Sequence, residues 1–137
     1  MLVVDTGPVV AAANTSDSNH ERCVHLLGAA AGPLVVPSLV VTEVAYFLAD
    51  RLGPYAERAL AASLRRGELS VDPVEPSDWS RIDQLVEQYA DLTLGIVDAS
   101  VIATCERLRQ TRLATLDRRH FGVVRPLHCE ALELLPA

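Results

Sequence analysis

The chain contains no lysine; all twelve of its cationic residues are arginine. That absence excludes sites that depend on a lysine, among them the phosphate-binding loop of nucleotide triphosphatases and the receiver-type phosphorylated aspartate. A glycine-rich phosphate loop, a Gly-x-Ser-x-Gly elbow and a Cys-x-x-Cys pair are missing as well, which removes the chemistries those motifs carry. Cysteine is scarce: Cys23, Cys105 and Cys129 are odd in number and widely spaced, so reduced thiols in a cytoplasmic protein are expected rather than a disulfide framework. No basic region precedes the first apolar run, so a secretory signal is not expected there. The longest uncharged stretch, Leu26 to Thr42, is broken by Gly28, Gly32, Pro33 and Pro37, which argues against a membrane span. His20, Cys23 and His25 lack zinc-site spacing, and His128-Cys129 stands near the far end, so these are read as structural or surface residues.

What is present suits a single domain over residues 1–137, with half the residues hydrophobic and length enough for a core. The net charge of −6 would ordinarily count against a nucleic-acid partner. Its distribution says otherwise. Residues 1–106 hold fifteen acids against six arginines, whereas residues 107–125 hold six arginines and one acid, Asp117. The positive charge is local, and Arg112, Arg118 and Arg119 flank that acid.

Short runs rich in β-branched residues punctuate the chain. Leu2-Val3-Val4 reads as a strand buried on both faces and ends at Asp5, where Thr6 can cap a helix and Pro8 fits its first turn. A polar cluster, Asn14 to Asn19, precedes a helix from about His20 to Ala30. Gly32-Pro33 turns into a strand at Leu34-Val35-Val36, and Ser38 to Leu52 reads as the next helix. Gly53-Pro54 opens another helix, which Gly67 stops, and Glu68 to Val71 is the third strand. Ser77-Asp78 caps a helix from Trp79 to about Ala90 whose inner stripe is Trp79, Ile82, Leu85, Val86 and Tyr89. Gly95 opens the last long helix. Arg112 to Thr115 is the fourth strand, with Val123-Val124 and Ala131 to Leu135 as weaker candidates. Alternation of short strands and helices predicts a parallel α/β domain.

Four acids stand out against this frame. Asp5 and Asp117 each lie just past the carboxyl end of a strand, the edge where open α/β sheets bind ligands. Taken alone, Asp5 could be a capping residue. On a helical wheel Glu43 falls between Leu39 and Phe47, in the middle of an apolar stripe; a structural salt bridge to a buried arginine is the competing reading. Asp98 falls among Val101, Ile102 and Cys105, although an acid so early in a helix is also favoured by the dipole. Together the four are candidates for one acidic pocket. Such a cluster needs a cation to stay ionised, and oxygen donors point to Mg2+ or Mn2+ rather than zinc. An ion of that kind activates water against a phosphodiester, with the basic segment beside Asp117 holding flanking phosphates.

In their order, Val-Val-Asp5-Thr6-Gly7, Glu43 after Pro37-Ser38-Leu39, Asp98-Ala99-Ser100 opening a helix, and Thr115-Leu116-Asp117-Arg118-Arg119-His120-Phe121, these residues resemble a PIN domain of the VapC toxin type. The resemblance spans nearly the whole chain. It implies a three-layer α/β/α sandwich with a central, mainly parallel sheet and a Mg2+-dependent endoribonuclease, the toxin of a type II toxin-antitoxin pair. It further implies a homodimer, held inactive by a cognate antitoxin protein. On this resemblance Asp5, Glu43, Asp98 and Asp117 form the catalytic, metal-holding quartet, Thr6 and Thr115 are supporting hydroxyls, and RNA is the substrate. Two other classes compete: a catalytically silent PIN-like module binding RNA or protein, and a phosphohydrolase using Asp5 as nucleophile. The latter needs a second Asp where Gly7 stands.

Overall fold

The computed structural model describes residues 1–137. Five strands form one sheet: β1 (Leu2–Val4), β2 (Leu34–Pro37), β3 (Ser70–Asp72), β4 (Arg112–Ala114) and β5 (Glu133–Leu135). Their spatial order is β3-β2-β1-β4-β5, and every neighbouring pair is parallel. The helices are α1 (Thr6–Ala13), α2 (His20–Ala29), α3 (Ser38–Leu52), α4 (Pro54–Arg65), α5 (Pro76–Gln88), α6 (Ile96–Leu108) and the single turn α7 (Arg118–Phe121).

This order dictates the layers. From β1 the chain steps outward to β2 and then β3, and right-handed crossovers put α1–α4 on one face of the sheet. It then returns across the sheet from β3 to β4, so the same handedness puts α5 and α6 on the other face. The packing agrees: α1 contacts α2 and α3, α3 contacts α4, and α5 lies along α6. The strand order reverses between β1 and β4, and an open sheet has its ligand crevice at that switch, beyond the carboxyl ends of those strands.

Burial follows the expected pattern at the centre. Val3, Val4 and Leu113 are fully enclosed, joined by Val40, Val44 and Leu48 of α3 and Val101, Ile102 and Cys105 of α6. Several local expectations are corrected. Val123-Val124 form no strand; they follow α7, and Val124 fills the core from irregular backbone. The third strand sits slightly later than expected, at Ser70–Asp72, and is a mostly exposed edge. Trp79, expected on the inner stripe of α5, is 48% exposed. The helix begins earlier, at Pro76, and Asp78 faces inward, closing a capping box with Glu75 and meeting Arg107 of α6. The next residue, about 100° further round the helix, is thereby turned outward. No helix is long and apolar enough to cross a membrane, and all three cysteines are free.

Candidate active site

Asp5 occupies the N-cap position of α1 yet makes no side-chain capping bond. Its carboxylate instead accepts a hydrogen bond of 2.8 Å from the Thr115 hydroxyl just beyond β4. The same hydroxyl oxygen accepts the Asp117 amide at 3.0 Å. One threonine thus ties together the ends of β1 and β4. Gly7 permits their closeness, since a Cβ there would stand 3.1 Å from the Leu116 side chain.

Glu43 projects from the middle of α3, where the Thr6 hydroxyl donates to its Oε1 at 2.6 Å. No arginine lies within ion-pair distance of Glu43, so the buried salt bridge that competed as its explanation is absent. Asp98 reaches in from the first turn of α6. Asp117 caps α7, accepting the His120 amide at 3.0 Å and meeting the His120 ring at 2.6 Å through Nδ1. Asp5, Glu43, Asp98 and Asp117 all line one cleft of about 480 Å³ at the switch point between β1 and β4.

The electrostatics of the cleft are uneven. Burial pushes the Asp5 carboxyl up to about 6; the Thr115 and Thr6 bonds hold it down in part, and Asp98 and Glu43 raise it. Asp98 is likewise raised by burial, eased by His120 and worsened by Asp117 and Glu43. Burial also opposes ionisation of Asp117, but the amide and ring N–H groups of His120 outweigh it and keep this carboxyl below its ordinary range. His120 is raised, first by its hydrogen bond to Asp117.

His120 is the residue that sequence reasoning undervalued, having found no histidine converging on the acids. Its Nδ1 lies 3.8 Å from Asp98 as well as 2.6 Å from Asp117, and its Nε2 faces the Leu92 carbonyl at 3.1 Å. Both ring nitrogens confront acceptors, an arrangement satisfied in full by the doubly protonated ring. Ligand atoms of Asp98, Asp117 and His120 all lie within 4.8 Å of one another. The sequence signals for His120 were its place in the run from Thr115 to Phe121 and the three-residue step from Asp117 to His120, which places a side chain back over the cap of a short helix.

The predicted RNA-binding arginines divide. Arg112 starts β4, at the opposite end of the strand from the cleft, and pairs with Glu133. Arg118 donates to the carbonyls of Pro136 at 2.6 Å and Leu134 at 3.5 Å, tethering the end of the chain. Arg119 is exposed and unpaired. Arg51, Asp17 and Phe47, which sequence reasoning did not select, line the cleft beside the four acids.

Comparison with known proteins agrees with this architecture. The chain is 29% identical over 135 residues to Ribonuclease VapC26 of Mycobacterium tuberculosis, covering 98% of this chain and 100% of that protein. Among solved structures, M. tuberculosis VapC20, a sarcin-ricin loop cleaving toxin, superimposes with a TM-score of 0.84 at 19% identity, over 95% of this chain and 99% of that one. VapBC2 from Rickettsia felis, bound to a DNA fragment from its promoter, gives 0.70 at 17% identity, over 97% of each chain. FitAcB from Neisseria gonorrhoeae gives 0.66 at 18%, over 89% of this chain and 91% of that one. The profile of the PIN domain matches residues 2–125, and the chain belongs to the PIN-domain family.

Proposed function

We propose that this protein is an endoribonuclease toxin of the VapC type that hydrolyses RNA phosphodiester bonds at the four-carboxylate cleft with a divalent metal ion. The observation that carries the reading is the meeting of Asp5, Glu43, Asp98 and Asp117 on one cleft with no arginine paired to any of them. The donor set fits such an ion. Asp5 and Asp98 are raised by burial and by acidic neighbours, so the cluster carries negative charge that a hard cation would neutralise through oxygen ligands. Mg2+ suits these donors, and Mn2+ does too. Held by these carboxylates, an ion of this class would supply Lewis-acid chemistry, polarising a phosphodiester and lowering the pKa of a water so that the hydroxide left after proton loss could attack phosphorus.

The chain's own residues do the arranging. Thr115 orients the Asp5 carboxylate, Thr6 holds Glu43, and His120 fixes Asp117 in its ionised form. Arg119 stays free to meet a phosphate near the cleft.

A cognate antitoxin that neutralises the protein is part of the reading, supported by the toxin-antitoxin complex named among its structural relatives. A homodimer is supported by exposed apolar residues on α3 and α6, Tyr46 at 66% and Ile96 at 54%. The free thiols suit the cytoplasm. One sheet and one continuous core cluster support a single domain over residues 1–137.

The test is direct. Purified protein with Mg2+ or Mn2+ should cleave cellular RNA, and Asp5→Asn or Asp98→Asn should abolish cleavage in a folded protein. Undiminished cleavage by either variant would overturn the assignment.

A further inference from the structure

The wall of the acidic cleft carries a single arginine, Arg51 from the last turn of α3. Its guanidinium carbon lies 4.7 Å from the centroid of the Phe47 ring. Neither an ion pair nor a hydrogen bond engages its nitrogens. That is unusual company for a free cation, because Asp50 precedes it in the chain and Asp17 lies on the same wall.

Geometry explains the choice. Glu43, Phe47 and Arg51 follow one another at four-residue intervals and share one stripe of α3. Two turns separate Glu43 from Arg51, about 12 Å along the axis. Stacking on an aromatic face fixes the plane of a guanidinium and leaves its edge donors open, the arrangement that grips a phosphate bidentately. A cleft lined with carboxylates repels a polyanion, so a strand crossing it needs a cation away from the reacting centre. Arg112 and Arg118 are committed elsewhere, and of the unpaired arginines Arg119 and Arg51, it is Arg51 that lines the cleft itself.

We infer that Arg51, preset by Phe47, binds a backbone phosphate of the RNA strand further along from the bond that is cut. The inference rests on the ribonuclease reading above and assigns the strand's path, along α3 away from Glu43.

Steady-state cleavage of a single-stranded RNA with Mn2+ over a range of salt concentrations tests it. Arg51→Ala should raise KM by about tenfold, the cost of one charge-assisted contact, with kcat changed less than about twofold. The slope of log KM against log salt should flatten by about 0.7, the loss of one phosphate contact on a single strand. Arg51→Lys should restore the slope but not the whole of the affinity, and Phe47→Leu should raise KM with the slope intact. If Arg51→Ala keeps the wild-type KM and slope while the wild type cleaves normally, the role of Arg51 is overturned and the nuclease reading survives. A fall in kcat and melting temperature with an unchanged slope would mark Arg51 as structural and also overturn the inference. A wild type that cleaves no RNA would overturn both.

Discussion

Asp5 is held in its site at the expense of stability, and its replacement by asparagine measures how much. The carboxyl moves from its ordinary 3.8 to about 6 in the fold, chiefly through burial. A tenfold change in proton affinity corresponds to about 1.4 kcal/mol, so an ionised Asp5 costs the metal-free fold about 3 kcal/mol at neutral pH. Because the folded pKa lies above the unfolded one, the favourable contribution of the protonated group is complete below about 3.8. It is lost as pH rises through about 6. Asparagine keeps the shape and an acceptor for the Thr115 hydroxyl without the charge. Its amide still needs partners, so the gain expected for Asp5→Asn above pH 6 is about 1 to 3 kcal/mol. For a chain of this length that is a rise in melting temperature of about 3 to 10 °C.

The assay is thermal unfolding of wild type and Asp5→Asn in EDTA between about pH 4 and pH 8, followed by addition of Mn2+. The gap between the two should be widest at the alkaline end and close towards pH 4. Mn2+ at a hundred times its dissociation constant should raise the wild type by about 2.7 kcal/mol and the variant far less. An asparagine variant that melts below the wild type at pH 8, or a gap indifferent to pH, would refute the electrostatic reasoning.

Two further outcomes follow from the same structure. Thr115→Val removes a bond that lowers the Asp5 pKa, so the acid limb of the pH–rate profile should move to higher pH. Metal titration by calorimetry should show about tenfold weaker binding, as is usual when a ligand loses its orienting partner. Arg107→Ala removes a partly buried guanidinium of α6 that is held by Asp72 at the end of β3 and Asp78 of α5. Urea unfolding should register a loss of about 2 to 4 kcal/mol. Cleavage at low temperature should persist, because this network lies at the far end of α6 from Asp98.

The central features were legible in the sequence because they combine local signals. Val3-Val4 and Val35-Val36 are continuous apolar runs bounded by Asp5, Gly32-Pro33 and Pro37, which leaves little besides buried parallel strands. Glu43 and Asp98 announced themselves by sitting on apolar stripes where a carboxylate has no ordinary business. His120 did not, because its value comes from Leu92 and Asp98, 28 and 22 positions away in the chain. Arg112 and Arg118 looked alike in a basic run, but β4 points one away from the cleft and the folded terminus captures the other. The networks of Arg81 with Glu106 and of Arg107 with Asp72 and Asp78 depend on how α6 lies against α5 and the end of β3, which no periodicity encodes.

The central strand is the first of the five to be made and gains its second partner late. Residues 2–4 are synthesised about 110 residues before one of their two flanking strands and the fourth acid, which wait for residues 112–117. Until then β1 is paired on one edge only, and the loop that brings Thr115 and Asp117 to Asp5 does not exist. For the ribonuclease proposed above, this ordering is a built-in delay. The proposed cutting site cannot assemble on a nascent chain before Asp117 has been made and β4 has folded against β1.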